Sequence, residues 1–70
     1  MNHRWPGAEN ATKRQKDAVE RAMGYIAEDG DTPGRPKLNS DLNVRVLQLD
    51  SGEIVRTWIA KPDGSLTWTS

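Results

Sequence analysis

The chain has 70 residues, ten of them basic and ten acidic, with one histidine and no cysteine. That length bounds it to one domain burying about 60% of its unfolded surface, and the missing cysteine excludes disulfides and thiolate metal sites. The even charge argues against a dedicated nucleic-acid binder, which carries a basic excess, and no apolar run reaches the ~18 residues of a membrane span.

Residues 1–7 contain no apolar stretch of the kind a secretory signal needs, so a soluble, cytoplasmic protein is expected. Trp5-Pro6-Gly7 interrupts regular structure, and residues 1–7 read as a flexible arm ahead of one domain over 8–70. Over residues 8–29 the chain is rich in good helix formers. Val19, Ala22, Met23 and Ile26 recur at i, i+3, i+4 and i+7, the spacing of one buried stripe. A helix over about 8–29 follows, its stripe fading upstream through Gln15, Ala11 and Ala8. Thr12 and Gln15 have capping-box spacing, which permits a later start at Ala11 or Lys13. Gly30 and then Pro33 end the helix. Lys13, Arg14 and Lys16 crowd its start and Glu28, Asp29 and Asp31 its end, the reverse of what the helix dipole favours. Pairs such as Lys13–Asp17 and Lys16–Glu20 offset part of that penalty. The polarity also suits a phosphate, an acidic partner or an antiparallel pairing of two copies.

Residues 30–41 show no periodicity and contain two prolines and two glycines, so a connecting loop is expected. Beyond it, three β-rich runs over about 42–49, 53–61 and 65–69 are separated by Asp50-Ser51-Gly52 and Pro62-Asp63-Gly64. The expected fold class is therefore α+β: one N-terminal α-helix packed on a three-stranded antiparallel β-meander. If both turns are three-residue loops with glycine in the left-handed position, Val44 opposes Trp58, Val46 opposes Arg56 and Trp58 opposes Trp68. One face then carries Leu42, Val44, Val46, Gln48, Ile54, Arg56, Trp58, Ala60, Leu66 and Trp68, and it is the face for Val19, Met23 and Ile26 to cover. The other carries Asn43, Arg45, Leu47, Leu49, Glu53, Val55, Thr57, Ile59, Lys61, Thr67 and Thr69, in which Leu47, Val55 and Ile59 form an apolar strip beside Arg45. A single helix cannot cover both faces, so this strip awaits Trp5 folding back, a second copy or another protein.

Catalytic chemistry has little to stand on. His3 is the lone imidazole, no nucleophile has a paired base, and the carboxylates sit at turns and helix ends. No glycine-rich phosphate loop or cation-loop spacing is present, and so short a chain leaves little room for a ~300 Å³ pocket. No enzyme activity, metal or cofactor is expected. The expected role is a small protein-interaction or accessory module, self-associating or docking another protein through Leu47, Val55, Ile59 and Arg45. Its size and style suit regulatory or inhibitor proteins, including those of bacteriophages. The alternative is a nucleic-acid-binding regulatory module using Lys13, Arg14, Lys16, Arg35 and Lys37. No membrane partner is expected.

Overall fold

A computed structural model describes residues 4–70. The chain is an α+β domain with one α-helix on one face of a five-stranded antiparallel sheet. A 3-10 turn, Ala8–Asn10, precedes helix α1, Lys13–Glu28. Strands β1 (Thr32–Pro33), β2 (Lys37–Leu38), β3 (Val44–Asp50), β4 (Glu53–Ala60) and β5 (Leu66–Thr69) follow. No helix among the described residues is long and apolar enough to cross a membrane.

Residues 1–3, and with them His3 and the start of the expected arm, lie outside the described residues. From Arg4 onward the arm is held in place. Trp5 is buried and joins Ala8, Ala18, Val19, Ala22 and Ile26 in the core. The Pro6 carbonyl accepts from the Leu38 N–H at 3.0 Å, and the Arg4 carbonyl accepts from Arg35 at 2.9 Å. An indole brings a large apolar area, and a domain this small gains from recruiting it. Trp5 therefore packs on the helix side of the sheet and leaves the opposite face open.

The helix takes the latest of its expected starts, Lys13. The Thr12 hydroxyl accepts from the Gln15 N–H at 3.0 Å and the Gln15 side chain accepts from the Thr12 N–H at 3.3 Å, a closed capping box. Gln15 is 1% exposed. Its Nε2 also donates to the carbonyls of Leu42 at 2.8 Å and Ala60 at 2.9 Å, fastening the helix start to the end of β4 and to the loop before β3. At the other end the Gly30 N–H reaches Ala27 O and the Asp31 N–H reaches Ile26 O, a Schellman closure.

The expected loop over 30–41 instead supplies a broken edge. Thr32 and Pro33 oppose Leu49 and Gln48, and Lys37 and Leu38 oppose Arg45 and Val44. Two-residue pieces are too short to show a period, which is why the sequence reads as loop. The sheet order is β1-β3-β4-β5, with β2 also on β3. The helix packs across β1, β3 and β4.

The β3–β4 register differs from expectation by two residues. Val46 opposes Trp58, Val44 opposes Ala60 and Gln48 opposes Arg56. Ser51 and Gly52 both have positive φ, 51° and 83°, the conformation of a two-residue hairpin turn whose twist matches the strands. That shorter loop shifts the pairing by one, so that Leu49 opposes Ile54. A bulge between Gln48 and Leu49 then leaves Val55 as the extra residue and shifts the pairing by one more. Two odd shifts restore the original parity from Arg56 onward. Val44, Val46, Trp58 and Ala60 consequently line the core under Val19 and Ile26, with Met23 at its border, as the pattern predicts. Ile54 does not: paired with Leu49, it moves to the open side and is exposed. The second hairpin has the expected register, with Trp58 opposite Trp68 and Ala60 opposite Leu66. Trp68, however, lies beyond the helix and is 49% exposed, not buried beneath it.

Leu42, expected in the core, is also exposed, because β3 starts two residues later and Leu42 belongs to a turn. That turn repeats the one between β4 and β5. The Asn39 N–H donates to Asn43 O and the Leu42 N–H to Asn39 O, as the Lys61 N–H donates to Ser65 O and the Gly64 N–H to Lys61 O. Asp41 Oδ1 accepts from the Asn43 N–H as Asp63 Oδ1 accepts from the Ser65 N–H. These bonds hold both carboxyls below the ordinary aspartate value; Arg45 is the larger cause at Asp41, the Ser65 N–H at Asp63. Leu42 thus fills, at φ 70°, the place that Gly64 fills at φ 91°. A side chain there costs about 1–2 kcal/mol, offset in part by the greater freedom of glycine when unfolded. Leu42→Gly should therefore raise stability, by about 0.5–1 kcal/mol, in a urea titration followed by tryptophan fluorescence.

Candidate functional site

The described residues leave two surfaces uncovered. The first is the open face of the sheet, whose rows follow from the pairing. Lys37, Arg45, Ile59 and Thr67 lie side by side across four strands. Leu47, Thr57 and Thr69 form the next row, and Thr32, Leu49 and Ile54 the next. Val55, the bulge residue, alternates with Arg56 and falls on this side too. Ile54 is 60% and Val55 43% exposed, while Leu47, Leu49 and Ile59 are half-buried. The structure thus groups Arg45, Leu47, Val55 and Ile59 on one face together with Leu49, as expected, and adds Ile54. Arg45 is held by Asp41 through two bonds, 2.7 and 3.2 Å, so a fixed ion pair borders the aliphatic strip instead of a mobile cation.

The second surface is an aromatic corner where the helix leaves β5 uncovered. Tyr25 stacks on Trp58 with ring centres 5.4 Å apart, and Trp68 lies 6.4 Å from Trp58. The Arg56 guanidinium sits 3.9 Å over the Trp68 ring, an attraction between a cation and the ring quadrupole. Arg56 also approaches Asp29 at 3.6 Å. Beneath it, Gln48 is 2% exposed. Its Oε1 accepts from the Trp58 indole N–H at 2.8 Å, and its Nε2 donates to Asp29 at 2.8 Å and Asp31 at 2.7 Å. Asp29 and Asp31, which oppose the helix dipole in the sequence, therefore have partners across the sheet. Tyr25 and Arg56 carry no motif; register alone places Arg56 next to the tryptophans.

The candidate nucleic-acid contacts fall in several places. Lys13 pairs with Asp17 at 3.4 Å. Arg14 packs its Cβ against Gly64, and Lys16 is half-buried on the same first turns. Lys37 stands beside Arg45 on the open face. Arg35 lines an open cleft of about 330 Å³ with Arg4, Trp5, Met23 and Pro36, a volume larger than the chain length led one to expect. No group of three or more potential metal ligands occurs among the described residues. No family model, curated protein or solved structure matches the chain.

Proposed function

We propose that this chain is a small non-enzymatic protein-interaction module that docks a partner protein through the open sheet face. The observation behind this reading is the aliphatic group of exposed Ile54 and Val55 with half-buried Leu47, Leu49 and Ile59, on the face opposite the one that helix and arm cover. Monomers seldom leave a contiguous apolar patch open. Threonines and the Asp41–Arg45 pair supply a polar rim. The partner fitted to it is a protein with a flat apolar patch. A nucleic-acid reading draws on the half-exposed Tyr25 and Trp68 beside Arg56, since bases stack on such rings. A formal net charge of zero and cations dispersed over several surfaces weigh against it.

A photo-crosslinking side chain at Val55, in cells expressing the protein, should give a discrete adduct with another polypeptide. The same group at Glu9 should give none. Val55→Asp should abolish adducts formed from a crosslinker at Ile54 while changing stability by under about 0.5 kcal/mol, because Val55 is exposed and unpaired. Equal adducts from Val55 and Glu9, or none from either, would overturn the reading.

A further inference from the structure

The two edges of the sheet are treated differently. The β1/β2 edge is broken at Gly34-Arg35-Pro36, carries Pro33, and is made of two-residue pieces. Such devices blunt an edge against strand addition. The β5 edge has none of them: Leu66-Thr67-Trp68-Thr69 is regular, uncharged and free of proline and bulges. Its backbone polarity can be read from the ladder. The Lys61 N–H bonds to Ser65 O, so by antiparallel alternation Thr67 and Thr69 turn their N–H and C=O groups toward β4. Leu66 and Trp68 turn theirs outward. Those same two residues point their side chains to the helix side, where Leu66 is half-buried and Trp68 is 49% exposed.

We infer that β5 pairs with β5 of a second copy, antiparallel about a two-fold axis at Thr67. That register sets Leu66 opposite the partner's Trp68 on both sides of the axis. It is the pairing that matches outward groups to outward groups over the whole strand. Each indole lies against the partner's leucine, and the two Thr67 side chains meet on the open face. Net charge of zero and an uncharged strand leave nothing to repel. The contact covers about half of a tryptophan's ~200 Å² plus one strand edge. That is on the order of 400 Å² per copy, well below the ~800 Å² of a stable interface, so the dimer is weak and concentration-dependent. The result is one continuous sheet with both helices on one side and both open faces on the other. This rests on the reading of the open face as a docking surface only in its consequence, a platform of twice the width; the pairing itself does not need it.

Sedimentation should show the mass rising from 7.8 kDa toward twice that between micromolar and millimolar concentration. Over that range the Leu66 and Trp68 amides should gain protection from hydrogen exchange. Thr67→Lys alone and Thr67→Glu alone should each remain monomeric, since like charges directly opposite repel, and their mixture should form the mixed dimer. Thr67 is exposed, so both variants fold. A monomer at every concentration, or amides at Leu66 and Trp68 that exchange at one rate throughout, overturns the pairing. Self-association lost in Val55→Asp but kept in Thr67→Lys also overturns it, and places the contact on the open face.

Discussion

Gln48→Met should lower the free energy of unfolding by about 2–4 kcal/mol, in a urea titration followed by tryptophan fluorescence. Methionine keeps the volume and the unbranched shape of glutamine, so packing alone would change it by less than ~1.5 kcal/mol. What it removes is a buried junction. The indole N–H of Trp58, a residue only 7% exposed, loses its acceptor, and an unsatisfied buried donor costs about 1–3 kcal/mol. Asp29 and Asp31 lose the amide that both accept from, bonds of the stronger, charge-assisted kind. Gln48→Glu separates these contributions. It retains an acceptor for Trp58 but sets a third carboxyl against Asp29 and Asp31. At neutral pH it should be the less stable variant. Burial and like charge raise the introduced carboxyl above its ordinary ~4.3, so the folded state binds the extra proton. Stability should then recover as pH falls through that raised value toward ~4.3 and should change little above it. A Gln48→Glu protein as stable as Gln48→Met at pH 7 would mean that the two aspartates do not face this side chain in solution.

The sequence carried the helix, the meander and the covered face, because each rests on a period that several residues repeat. Val19, Ala22 and Ile26 mark one stripe, and Val44, Val46, Trp58 and Ala60 alternate without interruption. Parity preserves the faces even where the register departs from simple counting. The Ser51-Gly52 turn and the Val55 bulge each shift the pairing by one, and two shifts return Trp58 to the covered side. Ile54, between the turn and the bulge, received one shift and changed face, so the open strip is larger than Leu47, Val55 and Ile59 alone. The features that stayed hidden rest on single residues. Leu42 occupies a turn position that glycine ordinarily marks, which concealed the hairpin joining β2 to β3. Trp5 stands next to Pro6-Gly7, a pair that reads as a break and in fact directs the indole inward. The Gln15 and Gln48 junctions are invisible for a related reason: a buried glutamine is recognised by partners distant in the chain. For the candidate site, the open face was legible from alternation; the bare β5 edge became a distinct feature only once the opposite edge proved to be broken.

Gly7→Ala should be the most disruptive glycine-to-alanine change in this chain, destabilising it by about 3 kcal/mol or more. Two effects combine. Gly7 has φ 86°, where an alanine costs about 1–2 kcal/mol. A Cβ built there would also lie 2.5 Å from the Leu38 Cβ, a distance that backbone or strand must move to relieve. The neighbours that would move are the ones that hold the arm. Pro6 accepts from the Leu38 N–H, and Trp5 and Ala8 are both in the core. Uncoupling them exposes an indole whose burial is worth several kcal/mol in a domain of this size. The thermal midpoint should fall by roughly 12 °C or more, at the 4–8 °C per kcal/mol expected of so small a domain. Gly7→Asn distinguishes the two effects. Asparagine tolerates the left-handed region far better than alanine but brings the same Cβ. If the Leu38 contact dominates, Gly7→Asn should be nearly as unstable as Gly7→Ala, with both shifting tryptophan emission to the red in the folded baseline. If Gly7→Asn behaves like the native chain, backbone conformation alone governs the position, and the close approach of Gly7 to β2 is not what seats Trp5.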